Sequence, residues 1–400
     1  MKNSLPRNVV LLGLVSFFND IAAEMIYPII PIFLTSVLGT PVPIVGIIEG
    51  VAEATASLSK FIFGYISDFF RQRKPFVVSG YALGTISKLL IGLASTWPLV
   101  LLARFTDRLG KGLRTAARDS MLLSETRPEN KGFIFGFHRA FDSLGAVVGP
   151  LTALVLLYFL KDNIRLMFFL AAIPSAIGVV LVLFLVKEKH ASQAAANSKR
   201  TLVKLSWNAL SPPLRLFLVV SFLFALGNSS DAFLLLQAKN LGLTTTLVVL
   251  AYVLYNVSQT VFAAPAGSLA DRVGARKVFA GGLVVFSLVY FLFGAIKNSL
   301  WLWFLFPVYG VYIAATDGVS KAYIAQFIKE EESGTFFGLH QTLTAVAGFL
   351  ASFIGGFLWQ YLSPTATFWY GSAMAAVAFL VFFSFRNTAP ATKRPGATLL

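Results

Sequence analysis

Apolar runs of membrane-spanning length alternate with short polar interruptions along the whole chain, and this rhythm predicts twelve helices. The first six runs fall at roughly 8–38, 44–67, 75–95, 98–122, 133–160 and 165–186. The second six fall at roughly 213–239, 245–270, 277–296, 300–324, 334–361 and 366–386. Each is near the roughly 20 apolar residues that a helix needs to cross the hydrocarbon core of a bilayer. Gly, Pro and charged residues mark the breaks between them. The one long polar stretch, Lys187 to Pro213, divides the runs into two sets. The predicted organisation is an N-terminal six-helix bundle at 1–186, a linker at 187–212, a C-terminal six-helix bundle at 213–387 and a tail at 388–400. The predicted fold class is an all-α polytopic membrane protein whose two bundles are related by pseudo-symmetry.

Composition removes the other readings of a chain this long. Of the 400 residues, 56% are hydrophobic and only 13% are charged, against about 25% charged in an average soluble protein. Mean hydropathy is +0.75. A water-soluble core cannot absorb so much apolar surface, whereas a bilayer can. The net charge of +15 would point to nucleic acid in a soluble domain. Here Arg71, Arg73, Lys74, Arg127, Lys131, the linker lysines, Arg272, Arg276, Lys277 and Lys329 fall in alternate connections, on the side of both termini. By the positive-inside rule that side is cytoplasmic. The expectation is a multi-pass protein of the cell (inner or plasma) membrane, with both termini in the cytoplasm, the lipid bilayer as its surroundings and no nucleic-acid partner. The first apolar run lacks a small-residue cleavage site and continues through Asn19, Asp20 and Glu24, so it reads as a retained helix and not a signal peptide. With no cysteine there is no disulfide framework or thiolate chemistry, and no metal cluster is spaced for ligation.

The two halves repeat one another. Gly64 and Asp68, followed by Arg73 and Lys74, recur as Gly267 and Asp271, followed by Arg276 and Lys277, at an offset of 203 residues. Phe135, Gly136 and His138 recur as Phe337, Gly338 and His340 at an offset of 202. Duplicated six-helix halves are the layout of parallel-repeat transporters. The Gly-x-x-x-Asp…Arg-Lys element resembles the signature of the major facilitator superfamily, found there in the loops after the second and eighth helices. The second copy, with Arg272 and Gly274, follows the pattern closely; the first has Phe69 where Arg is usual and Arg71 where Gly is usual. The resemblance implies a gate on the cytoplasmic side in which Asp68 and Asp271 lock helix ends closed. Gly145, Gly149 and Pro150 in the fifth run resemble an element of the family's drug/proton antiporters, although glycines at this spacing equally permit close helix packing.

Ionisable residues inside the membrane cost on the order of 2.5–3.5 kcal/mol each on insertion scales and so face a cavity or a partner. The fourth run carries Arg104, Arg108, Lys111, Arg114 and Arg118 at spacings that confine them to one helix face, with Asp107 among them. Arg104 and Arg108 are expected to lie deep, in a cavity wall that attracts an anionic solute. Arg114 and Arg118 are expected near the cytoplasmic mouth, paired with acids. Acids recur at helical spacing in neighbouring runs: Asp20 and Glu24 with Tyr27, Glu49 and Glu53 with Lys60 nearly in line, and Asp142 four residues after His138. These are candidates for proton coupling, because burial and nearby cations push a carboxyl group in opposite directions; static salt bridges are the equal alternative.

Aligned through the repeat, Glu53 corresponds to Asn256, Arg139 to Gln341 and Asp142 to Thr344. The C-terminal half therefore puts neutral polar groups where the other half has charge. Its candidate cavity residues are Asn228, Asp231, Tyr252, Asn256, Gln259, Tyr309, Tyr312, Asp317 and Gln341, to set beside Tyr27, Arg104, Asp107, Arg108, Lys111 and Arg139. The expected function is secondary active transport of a small polar or anionic solute by alternating access, coupled to protons, with coupling mainly in the first half and solute recognition mainly in the second. The alternative is a proton-driven multidrug efflux antiporter. No catalytic constellation, cofactor or metal is expected, and the chain is expected to work as a monomer.

Overall fold

A computed structural model describes residues 5–70, 73–125, 131–160, 163–188, 210–328 and 333–384. Most of the expected linker (residues 189–209), the tail from residue 385, and the loop cations Arg71, Arg127 and Lys329 lie outside the described residues. Twelve spans are present among those described: α1 (Arg7–Val37), α2 (Val42–Phe70), α3 (Lys74–Leu93), α4 (Trp97–Leu123), α5 (Lys131–Phe159), α6 (Ile164–Leu185), α7 (Pro212–Asn240), α8 (Thr245–Val273), α9 (Ala275–Ala295), α10 (Ser299–Ala325), α11 (Ser333–Tyr361) and α12 (Pro364–Ser384). Eleven of them are long and apolar enough to cross a membrane by length and composition. The remaining one, α4, is as long but carries the charged stripe. An even number of spans leaves both ends of the described chain on one face, termed here the terminal face.

The packing repeats between halves. In the first, α1 packs on α5 and α6, α2 on α4, and α3 on α4 and α6; in the second, α7 packs on α11 and α12, α8 on α10, and α9 on α10 and α12. The halves meet where α2 runs along α11, where α5 meets α8, and through the far ends of α1 and α7. Large apolar side chains such as Tyr158, Phe184 and Phe383 are left exposed around the outside, as a lipid-facing surface requires.

Two spans are broken at corresponding places. In α1 the regular helix ends at Ile26, because Pro28 has no N–H and its ring clashes with the preceding turn; the chain resumes as helix at Ile30–Ile32 and widens at Phe33–Val37. In α7 the helix ends at Gly227 and restarts at Ala232. The intervening Asn228, Ser229 and Ser230 favour bonds to nearby backbone over helix. Two bonds hold the break: Ser230 N–H donates to Ser352 Oγ of α11 at 3.1 Å, and Ser230 Oγ accepts from Ala232 N–H at 3.3 Å.

The duplicated motif lies at helix ends and not in loops. Gly267, Asp271 and Arg272 belong to the last turns of α8, which stops at Gly274 in the left-handed region (φ 98°). Gly64 and Asp68 likewise fall within α2; their side chains lie outside the described residues. Between Gly267 and Gly274 no proline interrupts α8, and Pro265 upstream is accommodated within the helix. The basic residues that follow cap neighbouring helices, where the dipole favours cations. Arg73 Nη1 donates to Ser120 O of α4 at 3.0 Å, Lys74 Nζ to Leu183 O of α6 at 2.9 Å, and Arg276 Nη2 to Phe382 O of α12 at 2.6 Å. Asp271, Arg272 and Lys277 are exposed.

The halves are clamped together at the face opposite the termini. A Cβ on Gly46 would collide with the Ser352 carbonyl; one on Gly50 would lie 2.8 Å from Phe349, and one on Gly356 would lie 2.9 Å from Pro43. A side chain on Gly50 should therefore wedge α2 from α11. In this cysteine-free protein, a single Ser229→Cys is expected to react with a membrane-impermeant maleimide from the terminal face only. Adding Gly50→Leu is expected to open labelling from the opposite face as well.

Candidate functional site

Below this clamp the halves diverge and enclose a cavity of about 470 Å³ that opens at the terminal face. The first half contributes Tyr27, Glu49, Glu53, Lys60, Arg104, Arg108 and Lys111 to its walls; the second contributes Asn228, Asp231, Tyr309, Tyr312, Asp317, His340 and Gln341. A smaller cavity of about 60 Å³ lies behind the first wall, lined by Asp20, Glu24, Lys88, Asp107, Arg114 and others, and shares Tyr27, Arg104, Arg108 and Lys111 with the main one.

The charged stripe of α4 is turned wholly into the bundle, and its groups are partnered in sequence. Arg104, 4% exposed, donates from Nη2 to Glu49 Oε2 at 2.6 Å and lies 5.9 Å from the centre of the Tyr27 ring. Asp107 lies 3.7 Å from Nζ of Lys88, a lysine 1% exposed in the middle of α3. Arg118 pairs with an acid as expected, the adjacent Asp119 at 3.1 Å, whereas Arg114 departs from expectation. Arg114 is buried, donates to Asn19 Oδ1 at 3.1 Å and sits over the Tyr81 ring at 4.6 Å. Arg118 donates to Ser16 Oγ at 2.8 Å as well as to the adjacent Asp119. The reason is close packing of α3 on α4 (a Cβ on Gly80 would lie 2.6 Å from Gly110 O), which turns this part of the stripe toward α1 and away from the mouth. Arg108 and Lys111 remain as the cations that line both cavities.

The second wall is built differently. Asp231 ends the break in α7, and both its oxygens are held: Tyr309 donates to Oδ1 at 2.6 Å and Tyr255 to Oδ2 at 2.9 Å. Around it, Phe224, Phe286, Tyr290, Tyr309 and Tyr312 form a continuous aromatic cluster with ring centres 4.0–6.5 Å apart. Asn228 donates to Tyr312 Oη at 3.0 Å. Asp317 is paired with Lys321 at 3.8 Å near the mouth.

Glu24 joins the two walls. Its Oε2 accepts from Tyr252 Oη at 2.7 Å, a bond from α1 to α8 across the interface, and the Tyr27 and Tyr252 rings meet beside it, tilted by 36° with centres 5.6 Å apart. Gly145 and Gly149 are the points where α5 touches α1. A Cβ on Gly145 would lie 2.9 Å from Asp20 Cβ, and one on Gly149 2.9 Å from Glu24 Cβ. The packing role of these glycines thus also fixes where two candidate coupling acids sit.

Six of the expected cavity and coupling residues line neither cavity: Tyr252, buried where it bonds Glu24, and Arg139, Asn256, Gln259, His138 and Asp142. Arg139 is exposed on α5. Asn256 turns back to donate to Tyr252 O of its own helix at 2.9 Å, and Gln259 is placed where α8 crosses α10 at Gly310. Asp142 sits with His138, Nδ1 to Oδ2 3.7 Å, away from the cavity. The two histidines are unalike: His138 is buried, whereas His340 lines the cavity and stacks on Phe217 at 5.7 Å. Sequence reasoning missed Lys88, Asn19, Tyr255 and Tyr290. A lone lysine within the apolar run of α3 was the available signal for Lys88, and the spacing of three from Tyr252 the signal for Tyr255.

Two six-helix halves related by a repeat, and a polar cavity between them closed at one face, define a polytopic membrane transporter. The chain belongs to the Major Facilitator Superfamily, whose family model matches residues 12–238 and 217–399. It is 35% identical over 383 residues to an uncharacterized MFS-type transporter of Methanocaldococcus jannaschii, covering 94% of each chain. It is 21% identical over 409 residues to the multidrug resistance protein MdtG of Enterobacter lignolyticus, covering 98% of this chain and 94% of the relative. A D-xylose-proton symporter superposes with a TM-score of 0.74 at 15% identity, covering 94% of this chain and 96% of the symporter, a likeness of fold.

The buried pair of Glu49 and Arg104 gives a direct test of the wall. Arg104→Gln strands a buried carboxylate and is expected to destabilise by about 3–5 kcal/mol, read as a lowered Tm in detergent. The double variant Glu49→Gln/Arg104→Gln is expected to recover most of that loss.

Proposed function

We propose that the protein is a proton-coupled secondary transporter of a small polar or anionic solute, working by alternating access in a cell membrane with the terminal face toward the cytoplasm. The observation that carries this reading is the cavity itself: it is open at one face only, and its surplus cations, Arg108 and Lys111, belong to one half while its other wall belongs to the second. A solute held by both walls is released to the opposite face when the halves rock. The exposed Asp271 fits this reading, since a gate built on it is disengaged while the terminal face is open. Glu24 is the coupling group favoured by position. It carries an acid to the seam between halves, where its bond to Tyr252 must break when the seam opens, and a proton can replace that bond.

The aromatic wall around Asp231 and the MdtG likeness favour a second reading, proton-driven efflux of lipophilic compounds. Proteoliposomes loaded with a pH-sensitive dye and challenged with metabolite and antibiotic panels separate the two. Proton movement on addition of small polar anions, weakened tenfold or more by Arg108→Gln, is the result expected. Movement only with lipophilic antibiotics supports the second reading, and none with either panel removes proton coupling. Once a solute is in hand, Glu24→Gln is expected to abolish its accumulation against a gradient while solute exchange across the membrane persists.

A further inference from the structure

Asp231 poses a problem that its hydrogen bonds do not solve. Tyrosine hydroxyls satisfy one lone pair on each oxygen but carry no charge, so an ionised Asp231 stands without a cation beside it. Among the described residues, the recorded ion pairs involve Asp107, Glu49, Asp119, Asp142 and Asp317 and leave Asp231 out. The second half contributes neither a lysine nor an arginine to the cavity wall; the lysines and arginines there all come from α2 and α4. Each carboxylate oxygen has a further lone pair to offer. The cavity face beside it is aromatic, with Phe224, Tyr309 and Tyr312 in the lining. A carboxylate framed by aromatic faces is the environment that attracts an ammonium group, through charge and through the ring quadrupoles together. Opposite stands the reverse arrangement. Arg104 is matched by Glu49, but Arg108, Lys111 and Lys60 share the single Glu53 on the cavity wall.

We propose that the transported solute carries both signs of charge: an ammonium group that docks on Asp231 within the aromatic wall of α7, α8 and α10, and a carboxylate or phosphate held by Arg108 and Lys111 of α4. The substrate class is an amino-bearing anion small enough for the 470 Å³ cavity. This rests on the transport reading above and narrows it. Such a solute neutralises both walls at once, whereas an anion alone leaves Asp231 uncompensated when the cavity closes.

The test uses purified full-length protein and a thermal-shift and calorimetric screen of three matched sets: amino acids, dipeptides and amino-sugar phosphates; their N-acetylated forms; and their uncharged-acid forms (amides, or the sugars without phosphate). Binding is expected to concentrate in the first set, and N-acetylation is expected to weaken it tenfold or more. Asp231→Asn is expected to remove the discrimination between parent and N-acetylated forms, Asp231→Glu to retain it, and Arg108→Gln to weaken both forms. Equal binding of parent and N-acetylated forms, discrimination that survives Asp231→Asn, or no binding in the first set overturns the proposal. Binding of the N-acetylated anions that still depends on Arg108 overturns the ammonium site and leaves the anion reading standing. Binding of the uncharged-acid amines alone, indifferent to Arg108→Gln, overturns both.

Discussion

A charge inside a membrane has no water to fall back on, and the architecture follows from how α4 meets that constraint. Its arginines, lysine and aspartates would be costly on any lipid-facing surface. They are tolerated because the helix is surrounded by α1, α2 and α3, each of which offers a partner at the right height: Glu49 for Arg104, Lys88 for Asp107, Asn19 for Arg114 and Ser16 for Arg118. The stripe thereby dictates the order of packing in the first half. It also leaves Arg108 and Lys111 in surplus, sharing Glu53 with Lys60 on the cavity wall.

The closed face is held differently. Backbone approaches backbone at Gly46, Gly50 and Gly356, and buried apolar side chains of both halves, among them Phe33, Leu34, Phe233 and Leu235, form one continuous cluster beside them. The breaks in α1 and α7 sit beside it, where Pro28 and the Asn228–Ser230 segment interrupt the helices that line the seam. The directional bond placed there, Tyr252 to Glu24, therefore carries weight beyond its own strength, because it is formed or lost with the state of the seam.

Much of this was legible in the chain. The apolar runs gave all twelve spans within a few residues, since length and hydropathy are set by the bilayer and not by tertiary detail. The duplicated Asp and Arg-Lys elements gave the pseudo-symmetry, and the resemblance they carry matches the family to which the chain belongs. Helix periodicity placed Arg104, Arg108 and Lys111 on one face correctly. It failed for Arg114, because periodicity gives a direction around one helix and not what stands opposite; that was decided by the glycine contact between α3 and α4. It also failed for Asn256, where the repeat predicted equivalence with Glu53 but a hydrogen bond to Tyr252 O of its own helix turned the side chain back. Lys88 was passed over because a single lysine does not disturb an apolar run.

The asymmetry between walls is the part with functional weight. Both halves derive from one repeat and share one packing scheme, so a difference in charge between equivalent surfaces is not required by the fold. In the first half, acids and cations are interleaved and mostly cancel, which suits a group that must hold or release a proton without leaving a bare charge behind. In the second, Asp317 is paired with Lys321 near the mouth, while Asp231 is set in an aromatic wall with hydrogen bonds but no ion-pair partner among the described residues, which suits a surface that waits for something to arrive. A cavity with a net cationic wall facing a lone acid is electrostatically incomplete when empty, and closing it in that condition would bury both excesses. On the proposed reading, occupancy and closure are tied by electrostatics: a solute that matches both sides lowers the cost of bringing the halves together.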